Sequence, residues 1–431
     1  MLVLFIVFVL SAAYYVYFRT TRKHLYELSR TLPTVGQIPV LGHTHWFIGG
    51  PERILNNIKT LATKMEETAG IGKVWIGPNL YAVIMNPEDI QIVLEKCLQK
   101  DGSYKFLRAW LGNGLFVAPV DLWKMHRRLL LPIFNNRVVE NFIEVFGKHS
   151  EVLVQRLKEN VDGAEFDVFK YVTRCSLDIV FETAMGEKMD LQRKPDNPYV
   201  VARNVVMSII NMRLFKAWLQ LDVIFNLTPY AKLQKDNIDL THHFTNECKC
   251  KPQVYKQDIL DMLLTREKQF TDEQLREHID SITIAGNDTT SLVVAYALVL
   301  LGSNIEEQDK VYSELTRIFG DSKRIPTKED LNKMEYLELV IKEAMRLFTV
   351  VPIIGRETQS ELKLSICTLP AGVGCAIAPF MLHRSKKIWG PDADSFRPDR
   401  FLPENSVGRH ACAFIPFSHG GRNCIGRRIN F

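Results

Sequence analysis

Phe417-Ser418-His419-Gly420-Gly421-Arg422-Asn423-Cys424-Ile425-Gly426 is the stretch whose reading decides the fold. Glycines stand ahead of a single cysteine and another follows two residues after it, so the backbone can turn tightly and approach a flat ligand closely. Phe417, Gly420, Arg422, Cys424 and Gly426 each come from residue types of about 5% frequency, and chance produces the set on the order of 10⁻⁴ times over a chain of this length. The loop therefore reads as a built site with Cys424 at its centre.

Around it lies a chain of 431 residues, 46% hydrophobic, 24% charged and 10% aromatic. That composition supplies a substantial core and excludes both a disordered chain and a miniature stapled scaffold. A net charge of +5 is too dilute at this length to imply a nucleic-acid partner. The eight cysteines (Cys97, Cys175, Cys248, Cys250, Cys367, Cys375, Cys412, Cys424) form no C-x-x-C pair. We read them as reduced thiols of a body facing the cytosol. Cys248 and Cys250 flank one lysine in a polar stretch and read as solvated thiols, because tetrahedral zinc needs two further soft ligands nearby.

Residues 1–18, MLVLFIVFVLSAAYYVYF, carry no charge, and as a helix they would span about 27 Å, close to a hydrocarbon core. Arg19, Arg22 and Lys23 follow at once, and such a flank stays cytosolic. The segment reads as a transmembrane anchor. A cleaved signal peptide is the rival, with small residues at Ser11, Ala12 and Ala13 but no charged residue before the apolar run. Residues 19–50 then form a basic stop and a proline-rich lead-in, Leu32 to Gly42, stiffened by Pro33 and Pro39. Residues 51–431 are expected to be the catalytic domain.

Within that domain the spacing predicts a helix from Pro51 to about Ala69, then a hairpin over Gly72 to Met85 around a Gly-Pro turn. From about Pro87 to Arg317 apolar residues recur at helical spacing, with stops expected at Gly186, Pro195, Pro198, Pro229 and Pro252. Strand-like pieces return at Gly355 to Ser365 and Val373 to Ala378. The fold class is mainly α with minor β, an α+β arrangement, and no internal repeat is visible.

The cysteine loop resembles that of the cytochrome P-450 family of haem-thiolate monooxygenases, F-x-x-G-x-R-x-C-x-G, at all five of its characteristic positions. The resemblance implies haem b held non-covalently between a long distal helix and the cysteine loop with its proximal helix. Cys424 is then the axial thiolate and the ligand to the metal, with Phe417 and Gly426 shaping its loop. Thiolate donation favours O–O cleavage, and backbone amides aimed at the sulfur tune it.

Four further elements match the family in order. Lys342-Glu343-Ala344-Met345-Arg346 carries E-x-x-R, and Phe396-Arg397-Pro398-Asp399-Arg400-Phe401 supplies a second arginine. The implied role of Glu343, Arg346 and Arg400 is a buried structural lock behind the haem. Ala285-Gly286-Asn287-Asp288-Thr289-Thr290 lies in an apolar helical run from about His278 to Leu301. A threonine hydroxyl there can bond the carbonyl four residues back and open a groove, and the resemblance makes Asp288 and Thr289 the catalytic pair that delivers protons. Trp123-Lys124-Met125-His126-Arg127 places indole and guanidinium one turn apart, so Trp123 and Arg127 inherit a hold on a haem propionate. Arg422 and Arg356 are further propionate candidates, and a purely structural strand residue equally explains Arg356. His126 and His419 read as neutral core or surface histidines. Lys124, Arg128, Arg427 and Arg428 are either the docking face for an acidic reductase or solvated charges.

Cys175 to Gly186 (CSLDIVFETAMG) is similar to the fourth family and its insect relatives. Many of these carry a glutamate, esterified to haem, where this chain has Ala285; alanine cannot form that link. The run from Asn246 to Gln257 is short and interrupted by proline, and the chain stops at Phe431, five residues after Gly426. The family normally continues further, so the chain is expected to lack its C-terminal part.

The implied activity is insertion of one oxygen atom of O2 into an apolar small molecule, whether fatty acid, hormone, odorant or xenobiotic. Electrons come from NADPH through NADPH-cytochrome P-450 reductase, with cytochrome b5 as a second partner, at the endoplasmic reticulum (microsome) membrane. The substrate cavity is expected at Phe106, Ile282, Ala285, Val350 and Ile354. A second reading is a truncated, haem-binding member without turnover; a third is a member that rearranges peroxides without a reductase.

Overall fold

The computed structural model describes residues 2–38, 42–77, 79–135, 138, 140–250, 259 and 269–428. Pro39 in the lead-in, Pro78 in the hairpin turn, Pro252, the end of the 246–257 run and the side chains of Cys250 and Arg428 lie outside the described residues.

Helices dominate, and among the described residues the strands fall into a four-stranded and a two-stranded sheet. Strands β1 (Ile71–Ile76) and β2 (Asn79–Ile84) form the expected hairpin. The sheet order is β1-β2-β6-β3, where β3 is Ile354–Glu357 and β6 is Gly374–Ile377. Strand β6 runs parallel to β2 and antiparallel to β3, in a register that sets Arg356 opposite Cys375. The small pair is Leu362–Lys363 with Thr368–Leu369. Ile71, Trp75, Ile84, Ile377, Leu94 and Ile415 bury one face of the larger sheet in an apolar cluster.

The long helix Asp272–Ser303 begins six residues before the expected start at His278. A capping box explains the extension: Thr271 Oγ1 accepts from the Gln274 N–H and Gln274 Oε1 accepts from the Thr271 N–H. It packs against the Val168–Met185 helix through a cluster that includes Leu177, Phe181, Leu275 and Ile279. Among the described residues it is the helix long and apolar enough to cross a membrane, and this packing makes it a core element.

Gly186 ends the Val168–Met185 helix with φ 69°, as the glycine predicted. Pro198 and Pro229 differ from expectation, because each opens a helix, Pro198–Phe215 and Pro229–Cys250. At the first helical position proline has no N–H to leave unsatisfied and its φ already suits the helix. Cys248 also differs: at 1% exposure it is packed in the helical core rather than solvated.

The N-terminal residues form a helix, Leu2–Thr21, with exposed apolar side chains such as Phe5, Phe8 and Leu10. After it, Tyr26 stacks on Trp75 of the sheet with ring centroids 4.7 Å apart.

Candidate functional site

The cysteine loop sits at the end of the Pro87–Lys96 helix. Gly420 has φ 69°, and a Cβ there would lie 2.3 Å from the Leu94 carbonyl oxygen, so no side chain fits. Ser418 also takes a positive φ, 62°. The Cys424 N–H closes the loop on the Phe417 carbonyl at 2.9 Å. Burial by protein pushes the Cys424 thiol up, while a hydrogen bond from the Gly426 N–H and the charge of Arg127 pull it down. The residue is nevertheless exposed.

Above the loop runs the Val120–Leu130 helix with Trp123 and Arg127 on one face. Arg127 donates from Nη1 to the Asn423 carbonyl at 2.8 Å and from Nη2 to Asn423 Oδ1 at 2.5 Å. It thereby clamps the helix to the residue next to Cys424. The Arg422 guanidinium lies 4.4 Å from the centre of the Trp123 ring and donates to the Ala118 carbonyl. Its Nε and Nη1 are buried without a hydrogen-bond partner among the described residues.

Arg356, only 2% exposed, donates Nη1 to its neighbour Gly355 and leaves Nε buried and unpartnered. Lys100, which no motif singled out, points its ammonium over Phe116 at 3.6 Å and Tyr104 at 4.3 Å. Burial holds Lys100 well below its ordinary range, and Arg356 and Arg422 add to the effect. Arg422 is pushed down to about 10 by burial, with Arg356 and Arg127 contributing. Arg356 and Arg422 thus share this face with orphaned donors, at a cost of about 1–3 kcal/mol per unpaired buried polar group, and Lys100 feels the charge of both. Nearby Asp101 offsets this for Lys100. Such a set fits a flat, dianionic macrocycle: a thiol for its metal, an indole for its edge and guanidinium donors for its acid groups.

Behind this face, Glu343 and Arg346 are fully buried. Arg346 grips Glu343 with two bonds, 2.6 Å from Nε and 2.7 Å from Nη2, and donates also to the carbonyls of His383, Ala393 and Ser395. Arg400 Nε stands 3.5 Å from Glu343 Oε1, while its Nη atoms bond the carbonyls of Trp389 and Asp392. The structure brings all three residues together.

On the long helix, Thr289 Oγ1 bonds the Ala285 carbonyl at 2.7 Å, the four-residue back-bond that the sequence pattern allows. Asp288 is ion-paired with Arg203 of the Pro198–Phe215 helix. Arg203 carried no sequence signal, being one basic residue in an apolar helix.

The expected cavity residues divide. Ala285 is exposed in the middle of an otherwise packed helix, and Val350 is half-buried. Phe106 is 4% exposed in a cluster with Trp110, Val206 and Ile284. Ile354 is 5% exposed beneath the sheet, and Ile282 packs on the cluster around Leu177 and Phe181. Phe106 and Ile354 are therefore packing residues here, Ile354 because alternation along β3 turns it to the core, while Ile282 is half-buried on the helix face it shares with Ala285. His126 is a core histidine, fully buried and lowered by that burial, and His419 meets Glu95 at 3.2 Å. Lys124, Arg128 and Arg427 are exposed.

A family model described as Cytochrome P450 matches residues 32–430. Cytochrome P450 4c3 of Drosophila melanogaster is 34% identical, over 96% of this chain and 83% of its own length. Cytochrome P450 4V2 of Homo sapiens is 32% identical, over 94% and 82% respectively. The crystal structure of the cytochrome P450DA heme domain superposes with a TM-score of 0.81 at 22% identity, covering 93% of this chain and 88% of that one, a likeness of fold. Taken with the thiol loop and its cationic surround, these matches place the function as haem-dependent monooxygenation, and the chain belongs to the cytochrome P450 family.

Proposed function

We propose that the chain is a membrane-anchored monooxygenase that hydroxylates an apolar small molecule of the fatty-acid or xenobiotic class, drawing electrons from NADPH through a flavoprotein reductase, with cytochrome b5 as a second donor. The observation that carries the reading is the convergence of Cys424, Trp123, Arg422 and Arg356 with orphaned guanidinium donors on one face. When bound, haem supplies activation of O2 so that one atom enters the substrate and the other leaves as water.

Cys424 is the residue to hold the iron, and the Gly426 N–H together with Arg127 stabilises its thiolate. Arg422, Arg356 and Lys100 would hold the propionates, and Trp123 would position Arg422. Thr289 keeps its hydroxyl on the Ala285 carbonyl, beside Asp288, so an acid and an alcohol adjoin in one turn and can pass a proton inward. Glu343, Arg346 and Arg400 act as scaffold. Ala285 has no carboxylate for an ester, which supports non-covalent haem.

The uncharged run ahead of Arg19, helical from Leu2 with Phe5, Phe8 and Leu10 exposed, supports a single bilayer anchor at the endoplasmic reticulum with the body in the cytosol. The exposed Lys124, Arg128 and Arg427 suit an acidic reductase.

The test is a reduced carbon monoxide difference spectrum of membranes holding the full chain. The expected result is the long-wavelength band of a thiolate-ligated ferrous complex, lost in Cys424→Ser. Absence of the band in the wild type, or its survival in the variant, would overturn the reading.

A further inference from the structure

Away from the haem face, a cavity of about 800 Å³ lies between the Lys105–Leu111 helix, the Pro229–Cys250 helix and the first turns of the long helix. None of the haem-site residues lines it. Its size is that of a small-molecule site, and its lining pairs an apolar floor with convergent polar groups. Trp110, Phe225 and Ile238 form the floor, each at most 6% exposed. The Arg213 guanidinium lies 3.8 Å over Phe225 and is tied to Asp222.

The polar side is less satisfied. Gln234 is 4% exposed and lines the cavity, yet its amide Nε2 has no hydrogen-bond partner among the described residues. Lys232 and Lys235 flank it, Arg108 stands on the facing helix, and none of the three is in a salt bridge among the described residues. Of the carboxylates in the lining, Glu273 faces Arg276 at 3.9 Å and burial pushes Glu277 up toward its neutral form. Asp239 remains, and with Glu273 it would repel a dianion. A head with one negative charge and two acceptor oxygens suits what is left.

We propose that this cavity is a second ligand site for an amphipathic carboxylate. Its head is held by the Gln234 amide with Lys232 and Lys235, and its chain lies on Trp110, Phe225 and Ile238. The site is separate from the iron, so the claim stands apart from the reading of the haem face.

The experiment is equilibrium dialysis of radiolabelled decanoate against the full-length protein in phosphatidylcholine nanodiscs, with empty nanodiscs subtracted, alongside visible spectra of the same samples. The wild type is expected to bind one equivalent that leaves the visible spectrum unmoved. Lys232→Glu/Lys235→Glu should bind that equivalent at least tenfold more weakly, Gln234→Leu should weaken it, and Lys232→Arg/Lys235→Arg should retain it. The lysine changes lie on the exposed side of their helix and leave the core intact, and an unchanged circular dichroism melt checks this for every variant, including that at the buried Gln234. Equal binding by the wild type and the charge-reversed variant, or no spectrally silent equivalent in the wild type, overturns the proposal.

Discussion

Arg203 and Asp288 form an ion pair between the Pro198–Phe215 helix and the long helix, with the Arg203 side chain 4% and the Asp288 side chain 24% exposed. The carboxylate expected to move protons is therefore held by a cation on a neighbouring helix. Asp288→Asn should lower turnover about 10²-fold, the loss typical of a positioned acid. Arg203→Gln removes the counter-charge of Asp288 and should favour its protonated form, moving the basic limb of the pH–rate profile upward. A profile identical to wild type in Arg203→Gln would separate this pair from turnover.

Arg356 illustrates a site residue that costs stability. Buried beside Arg422 and Lys100, with Nε unpartnered, it repels its neighbours in the apoprotein. Replacing a poorly compensated buried charge with an apolar side chain stabilises by about 1–4 kcal/mol. Arg356→Met should raise the urea midpoint of the apoprotein and slow haem uptake at least tenfold. Loss of stability and normal uptake together would show that the residue is a plain strand residue.

Two adjacent glycines in the cysteine loop should behave differently. Gly420→Ala meets the Leu94 carbonyl at 2.3 Å from a positive φ, whereas a Cβ at Gly421 meets nothing nearer than Leu98 at 3.4 Å. Gly420→Ala should cost about 2 kcal/mol or more and strip haem, and Gly421→Ala about 0.5 kcal/mol or less. Thermal melts and haem content of the two variants check this.

Acid should weaken the fold below the ordinary histidine range. His278 and His383 are each pushed down to about 3, by burial and then by His126 and Arg346 respectively. His278 Nδ1 accepts from the Leu115 N–H and His383 Nε2 from the Ile415 N–H, bonds that need the neutral rings. Because the folded values lie below the unfolded value, this stability is complete above about pH 6.5. It is lost as pH falls, by about 2 kcal/mol for each ring at pH 5. Asp280 opposes this: pushed up to about 7 by burial, it takes up a proton on folding. Asp280→Asn should therefore make the decline between pH 7 and 5 steeper in urea titrations.

The chemistry of the haem face was legible in short, contiguous patterns, because each residue's role there is enforced by backbone geometry next to it. Gly420 must be glycine where the loop meets Leu94, Arg346 lies one turn from Glu343, and Thr289 bonds back four residues. Helix boundaries were less legible at Pro198 and Pro229, where proline at a first position reads the same as proline at a stop.

Arg203 and Lys100 had no pattern to announce them, since Asp288 and Arg356 meet them only across elements distant in sequence. Phe106 and Ile354 were apolar residues at plausible positions, and only packing turned them away from the cavity. The sequence by itself determined which atoms can ligate, donate and lock, because those depend on residue type and local spacing. Which charges are left without partners, and which apolar side chains are core, was decided by the tertiary structure, because burial and long-range pairing arise only once the helices are packed.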